Sequence, residues 1–451
     1  MTRSIKNNLL SRSIALTVLT SAQVFAGSLP SPVIDSDYYD NGDPAPAKYE
    51  LGRMLFFDKI MSGNRNISCA TCHNPLLATT DGLSLGIGEG GRFIGPYRTT
   101  GSGDDAVPGR IGRHAPHLYN LGAREFIHLN WQGIMEGNAD KPSEISIPAG
   151  PEKPDGLDNV LAGQALFPIA NINEMIGQRG ENEIADSVRP GNGRFRPIWE
   201  GYLKRIRAIP EYVELFQAAY PNISLPDDIK IAHYANAIAA FETRAFRADN
   251  SRFDQYLRGG VDALSPKEVE GMNLFYGAAG CDSCHSGKFQ TDHSFHNIAM
   301  PQIGPGPEAR MPLEDRGRTE ASREQSDFAK FKTPSLRNVA HTAPYGHSGA
   351  FATLEGVVRH HLNALESLDN YDTSQALMPS RSDLDEIDFQ GYEDVSLRDK
   401  IAQNNELRPN PLSDAEVSAL IAFLHTLTDT DSLNLRKLIP SQVPSGIAVS
   451  D

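Results

Sequence analysis

Cysteine is scarce in this chain, four in 451 residues, and tryptophan scarcer, at two. So little cysteine excludes a disulfide-stapled scaffold, and the fold must rest on a packed core. Hydrophobic residues at 39% and charged residues at 22% can supply one, which excludes wholesale disorder. Positive charge is in the minority: Lys and Arg number 42 against 57 Asp and Glu, a net charge of −15. A surface of that sign argues against nucleic acid as a partner and tolerates a basic protein. No run approaches the roughly 18 uninterrupted apolar residues of a membrane span. There is no phosphate-binding loop, no Ser-His-Asp pattern and no low-complexity tract. The length suggests two to three domains.

The first residues read as an export signal. Arg3, Lys6 and Arg12 form a basic stretch, Ile14 to Leu19 an apolar one, and Val24-Phe25-Ala26 ends on a small residue. Residues 1–26 are therefore expected to be a signal peptide. Its removal would take the net charge from −15 to −18. The expected location is the periplasm, for a soluble exported protein.

The cysteines carry the strongest signal. Cys69-Ala70-Thr71-Cys72-His73 and Cys281-Asp282-Ser283-Cys284-His285 use all four. Each is Cys-x-x-Cys-His, the attachment sequence of a c-type haem, in which two thioethers hold the porphyrin and the histidine faces the iron. A zinc ribbon spaces its pairs by about 15–20 residues, whereas here the second pair follows some two hundred residues after the first. A thioredoxin-like pair needs a βαβ context that is not visible. Two covalent haem c groups are the expectation.

The chain repeats itself around these sites. Gly52-Arg53-Met54-Leu55-Phe56 precedes the first, and Gly271-Met272-Asn273-Leu274-Phe275 the second. Both read Gly-x-x-Leu-Phe near the end of a helical pattern. Ser265, Pro266 and Glu268 mark a sharp helix start, as do Ser413 and Glu416. Asp227 is a candidate cap for a helix over 229–246. Loops rich in Gly, Pro and Asn occupy 86–112, 137–163, 299–324 and 367–411, a length at which loops are functional or disordered. The expected fold is mostly α, with two cytochrome c-like haem domains joined by long irregular loops. The expected division is 27–225 for the first and 226–451 for the second.

At this point a family resemblance is visible. Leu51 to Asp58 followed by Ser68 to His73 resembles the opening of the bacterial dihaem cytochrome c peroxidases. Phe331-Lys332-Thr333-Pro334-Ser335-Leu336-Arg337-Asn338-Val339-Ala340, with Thr342-Ala343-Pro344-Tyr345 and His347-Ser348-Gly349, is similar to the same family. That family includes the MauG-type enzymes, which use peroxide to oxidise residues of another protein. The resemblance implies that one haem meets peroxide while the other stores or relays electrons.

It also implies roles residue by residue. Trp131 matches a tryptophan that relays electrons between the haems, although the family's Phe-Trp-Asp-Gly-Arg is here Asn-Trp-Gln-Gly-Ile, without its Asp and Arg. A lone tryptophan is otherwise a core aromatic. Glu174 matches the acid/base residue that moves a proton during peroxide cleavage, and Gln164 lines the same pocket. An extra loop, roughly 137–160, separates Trp131 from Gln164, and shaping a partner surface is one role for it.

The iron ligands set the subtype. The family's resting cap on the first haem is a histidine, and the matching loop, Ser84 to Gly91, has none. That haem is expected to stay open, with His114 and His117 as alternative caps. The second haem's sixth ligand falls on His361, with His360 as the runner-up. The family's calcium site matches Thr342 and Pro344 at its carbonyl positions but has His114 in place of asparagine, so calcium stays open, because the ion prefers oxygen.

The expected activity is peroxide reduction with electrons from a small redox protein, a cytochrome c or a cupredoxin. One alternative is a MauG-like enzyme acting on a specific protein substrate. Another is a plain dihaem electron carrier, for which Met135 would be a candidate ligand.

Overall fold

The computed structural model describes residues 1, 29–103, 106–188, 194–307 and 313–449. The expected signal peptide lies, but for Met1, outside the described residues. What is described is mostly helical, with two short antiparallel strand pairs, His128–Leu129 with Met135–Glu136 and Phe295–His296 with Phe331–Lys332. No described helix is long and apolar enough to cross a membrane.

Two helix crossings organise the chain, and each uses a glycine of the internal repeat. Helix Pro46–Phe57 packs on helix Ile231–Ala245, and helix Pro266–Phe275 packs on helix Asp414–His425. A Cβ on Gly52 would stand 1.9 Å from the Ala237 carbonyl oxygen, and one on Gly271 would stand 1.9 Å from that of Ala419. Only glycine lets the backbones meet so closely. The two halves are thus built alike, as the repeat implies.

Local sequence explains the helix ends. Ser265 accepts from Glu268 N–H while Glu268 reaches back to Ser265, with Pro266 at the first position. Ser413 and Glu416 do the same. The cap expected at Asp227 does not form. Pro226–Asp228 make a separate turn in which Asp228 takes the N–H groups of Ser224 and Leu225, and the helix starts at Ile231. That helix is buried almost all round, which its alanine-rich, apolar sequence allows.

One core gathers residues from Val33 to Ala248, with Phe289 and the returning tail Leu435, Leu438 and Val443. A second runs from Phe253 to Leu427. A division at 225–226 would cut the first core, because helix Ile231–Ala245 lies beyond it. The tail is pinned to the first half by Arg53, which donates to the Leu438 carbonyl, and by Asp58, which accepts from Ser445.

Candidate active site

A cavity of about 1250 Å³ is lined by Cys69, Cys72 and His73 and also by Cys281, Cys284, His285 and His361. This exceeds the roughly 300–1,000 Å³ of a pocket for one small ligand. All four cysteines are free thiols, with no disulfide among them. Burial pushes the Cys69 and Cys281 thiols up to about 12, against the thiolate that zinc requires. Among the described residues the two cysteine pairs do not join into one ligand cluster. Cys284 does lie near Asp292 and His296, but it belongs to the second attachment turn.

Both attachment histidines are set in the same way. His73 Nδ1 lies 3.1 Å from the Thr79 carbonyl and His285 Nδ1 lies 3.1 Å from the Gln290 carbonyl. A carbonyl can only accept, so each Nδ1 carries the proton and each Nε2 keeps its lone pair for a metal. Burial lowers the pKa of both rings, favouring the neutral form that ligation needs. The supporting loops are fixed in turn. Thr79 Oγ1 accepts from Leu118 N–H. On the other side, Ser335 donates to the Phe289 carbonyl, Thr291 donates to that of Thr333, and fully buried Arg337 bridges Asp254 and the Lys288 carbonyl. The stretch 331–340 therefore acts on His285 by holding the loop that orients it.

His361 faces His285, their ring centroids 6.3 Å apart, with His361 Nδ1 held by the Val357 carbonyl at 2.8 Å. His360 does not compete. Its Nδ1 meets Ser367 at 3.0 Å and its Nε2 meets the Ile298 carbonyl at 2.8 Å, so both nitrogens are spent. One turn of helix Leu354–Leu362 thus sends one histidine into the cavity and the other into the core.

The first chamber is different. Glu174 sits on a single π-helical turn, Ile172–Ile176, with Oε1 accepting from Asn171 at 2.7 Å. Burial raises its carboxyl to about 7. The turn is gripped on two sides: Gly63 N–H donates to the Met175 carbonyl, and Glu89 N–H to that of Asn173. Gly88 presses so close that a Cβ there would stand 1.9 Å from the Asn173 oxygen. The loop that lacks the family's histidine is therefore part of the mount for Glu174. Its own Glu89 is turned to Asn64 and Asn66. Gln164, at the end of helix Val160–Gln164, brings a buried Oε1 with no partner to the same cavity. The loop 137–160 supplies a wall, with Ile145 and Ile147 buried and Pro148 lining the cavity.

Trp131 lines the same cavity and is clamped by both halves. Its indole N–H donates to the His114 carbonyl at 2.9 Å, and its own carbonyl accepts from Lys332 N–H at 2.8 Å. The Asp and Arg missing after it have substitutes from elsewhere. Gln132 bonds Arg113, which is bound through two oxygens of buried Asp315 at 2.7 Å each. Arg318 donates to the carbonyls of Gln132 and Gly133. Nothing near Trp131 in sequence signals Arg318; only the fold brings it there.

His114 and His117 also line the cavity. His114 Nδ1 is committed to the Leu83 carbonyl at 2.8 Å, and His117 Nε2 to that of Ser335 at 3.3 Å. At the calcium position His114 stands where the family has an asparagine oxygen, and its Nδ1 is bonded to the Leu83 carbonyl.

Two attachment turns, each with a neutral histidine aimed into one cavity, define a dihaem c-type oxidoreductase. Residues 46–262 match the family model for di-haem cytochrome c peroxidase. The chain is 30% identical to the cytochrome c551 peroxidase of Nitrosomonas europaea, over 79% of this chain and 83% of that one. It is 28% identical to the methylamine utilization protein MauG of Methylorubrum extorquens, over 85% and 78%. A crystal structure of a MauG-like protein associated with microbial copper homeostasis superposes with a TM-score of 0.58 at 25% identity, over 92% of this chain and 97% of that one. The chain belongs to the dihaem cytochrome c peroxidase and MauG family, binds two covalent haem c groups and is a peroxidase-like oxidoreductase.

Proposed function

We propose that the chain is a periplasmic peroxidase that turns over hydrogen peroxide at the first haem and draws electrons through the second. The contrast between the two chambers carries this reading. The second is closed by His361 opposite His285. The first presents Glu174, raised to about 7, and Gln164, with a bare carbonyl oxygen. The first unit extends to the end of helix Ile231–Ala245, and the second follows.

The haem iron, when bound, supplies the redox centre at which the peroxide O–O bond breaks. The chain supplies the rest. Peroxide, two electrons and two protons give two waters. Glu174 takes the proton from one peroxide oxygen and delivers it to the other, so that the leaving oxygen departs as water. Such positioned acid/base help is worth about 10²–10⁴ in rate. Gln164 lines the pocket beside Glu174. Trp131 offers an indole on the path between the sites, fixed by His114 and Lys332 so that it need not reorganise.

The acidic surface suits a basic electron donor, a small cytochrome c or cupredoxin. The MauG-like alternative, oxidation of a protein partner, gains support from a histidine rather than a methionine at 361. The deciding experiment mixes the loaded protein with stoichiometric peroxide and follows both haem spectra, then adds a reduced cytochrome c. Turnover with the cytochrome supports the proposal. A long-lived oxidised state that the cytochrome does not discharge favours the protein-substrate reading. No reaction with peroxide, with both irons six-coordinate, leaves the electron carrier.

A further inference from the structure

His296 belongs to a cluster that none of the chemistry above uses. It ends the strand Phe295–His296 and lines the cavity. Its Nε2 lies 2.9 Å from an Asp292 carboxylate oxygen, and its Nδ1 lies 2.7 Å from a Glu406 carboxylate oxygen. A neutral imidazole carries one N–H, so one of its nitrogens would turn a lone pair on an anion. Two carboxylates therefore call for both nitrogens protonated, and the ring is an imidazolium. Burial alone would lower its pKa, but the bonds to Asp292 and Glu406 outweigh burial and raise it. The same ring stands beside the second attachment turn. Cys284 Sγ, an Asp292 carboxylate oxygen and a His296 ring nitrogen all lie within 4.8 Å of one another. In the loaded protein that sulfur is bonded to the porphyrin, which puts the imidazolium at the edge of the second haem.

We propose that His296 is a fixed positive charge at the edge of the second haem and raises that haem's reduction potential. This rests on the haem being bonded to Cys284, not on where peroxide reacts. A Met/His pair of iron ligands raises the potential, and two histidines forgo that rise. An added electron is held more firmly beside a cation, so His296 works in the opposite direction and makes the haem a better acceptor for a donor's electron. The ring is 26% exposed, so salt and water screen its charge only in part. Its partners are anchored in turn. Glu406 N–H donates to the Asn297 carbonyl at 2.8 Å, which ties the loop of the acid to the residue after the ring. Glu406 also holds Lys330 at 3.1 Å, and Ser294 N–H donates to Asp292 at 2.9 Å. His285, next to Cys284 in the chain, is neutral, lowered to about 4 by burial.

The test is a spectroelectrochemical titration of the second haem in the loaded protein at pH 6. Haem content and the low-spin spectrum are measured first, so that lost cofactor or lost ligation shows separately. Peroxide does not enter the measurement, so a failure of the peroxidase reading leaves it intact. His296→Gln keeps a polar side chain and removes the charge. At a fixed applied potential it should leave the haem on the order of tenfold less reduced, the effect of one unit charge over roughly 10 Å at an effective dielectric near 20. Glu406→Gln removes a negative charge and leaves Asp292 to hold the ring, so it should shift the potential upward. Loosened packing has no reason to reverse its sign between the two variants, and opposite shifts support the proposal. A potential that does not fall in His296→Gln, or that falls in Glu406→Gln as well, overturns it. Should either variant fail to load haem, the unaltered protein with ¹⁵N in its histidine rings gives a second reading by nuclear magnetic resonance. Two protonated nitrogens on His296 at pH 6 support the proposal, and a single one overturns it.

Discussion

The imidazole rings of His285 and His361 face each other across 6.3 Å, centroid to centroid, at an interplanar angle of 53°. Each has its Nδ1 tied to a backbone carbonyl, Gln290 for one and Val357 for the other. Two imidazoles sharing one metal through Nε2, at bond lengths of about 2.0–2.1 Å, would place their centroids a little over 6 Å apart. The observed 6.3 Å agrees with that distance.

His361→Ala should therefore open the second haem, converting a low-spin signal to high spin in optical and electron paramagnetic resonance spectra. His360→Ala should leave that signal unchanged. Its cost falls on stability instead, because the Ile298 carbonyl and the Ser367 hydroxyl lose a buried partner. About 1–3 kcal/mol is expected in chemical unfolding. A low-spin signal that survives His361→Ala would remove the ligand assignment.

The attachment turns give a stoichiometric prediction. Cys69→Ala combined with Cys72→Ala should leave one covalent haem per chain, read by mass and by the pyridine haemochrome spectrum. Because Cys281 and Cys284 lie in a separately built half, the second haem should keep its low-spin spectrum. Loss of both haems would mean that the halves do not load independently.

The repeat glycines make a test of the fold. Gly52→Ala and Gly271→Ala each force a methyl into a backbone carbonyl at 1.9 Å. Backbone cannot step aside as a side chain can, so each should destabilise by about 1–3 kcal/mol or more, the range for overpacking. Gly103→Ala is the control: open space surrounds a Cβ there, although the positive φ of 63° adds a modest strain.

These glycines also show what was legible in the sequence. Gly-x-x-Leu-Phe before each attachment turn announced two like units, because a close helix crossing needs glycine at a fixed place. The capping boxes at Ser265 and Ser413 were legible for the same reason: the interaction is local. That helix Ile231–Ala245, which follows a Pro-rich turn, packs into the first core is not local information and shows only in the fold. The resemblance points to His361 with His360 as runner-up; the bonds that occupy both His360 nitrogens, to Ser367 and Ile298, are visible only in the fold. Arg318 carries no local motif, so nothing in the sequence points to its hold on Gln132 and Gly133.

Glu174 gives the clearest pH dependence. Its carboxyl is raised to about 7 by burial, so it is protonated below that pH and ionised above. Only the carboxylate can take the first proton from peroxide. The rate of reaction with peroxide should thus climb as pH rises through about 7 and level off above. Glu174→Gln should bind small ligands normally, react roughly 10²-fold more slowly and lose that climb. A variant reacting at the unaltered rate would place the proton transfer elsewhere, with Gln164 and its bare oxygen as the next position to alter.

Trp131 separates chemistry from relay. Phenylalanine in its place preserves most of the ring and the backbone contacts to Lys332, but removes the indole N–H that meets the His114 carbonyl. It also removes a side chain far easier to oxidise than phenylalanine. Glu174 and Gln164 are untouched, so the first haem should still react with peroxide at close to the unaltered rate. Oxidation of the second haem should then lag behind it, where the unaltered protein oxidises both together. Rapid-mixing spectra resolve the two phases. Arg318→Gln gives a companion reading, because Arg318 holds the carbonyls of Gln132 and Gly133 without touching the indole. If exact placement of Trp131 matters, this change slows the second phase partway and leaves the first alone. If Trp131→Phe oxidises both haems together, the electron travels another way, and Trp131 is a wall of the cavity and nothing more.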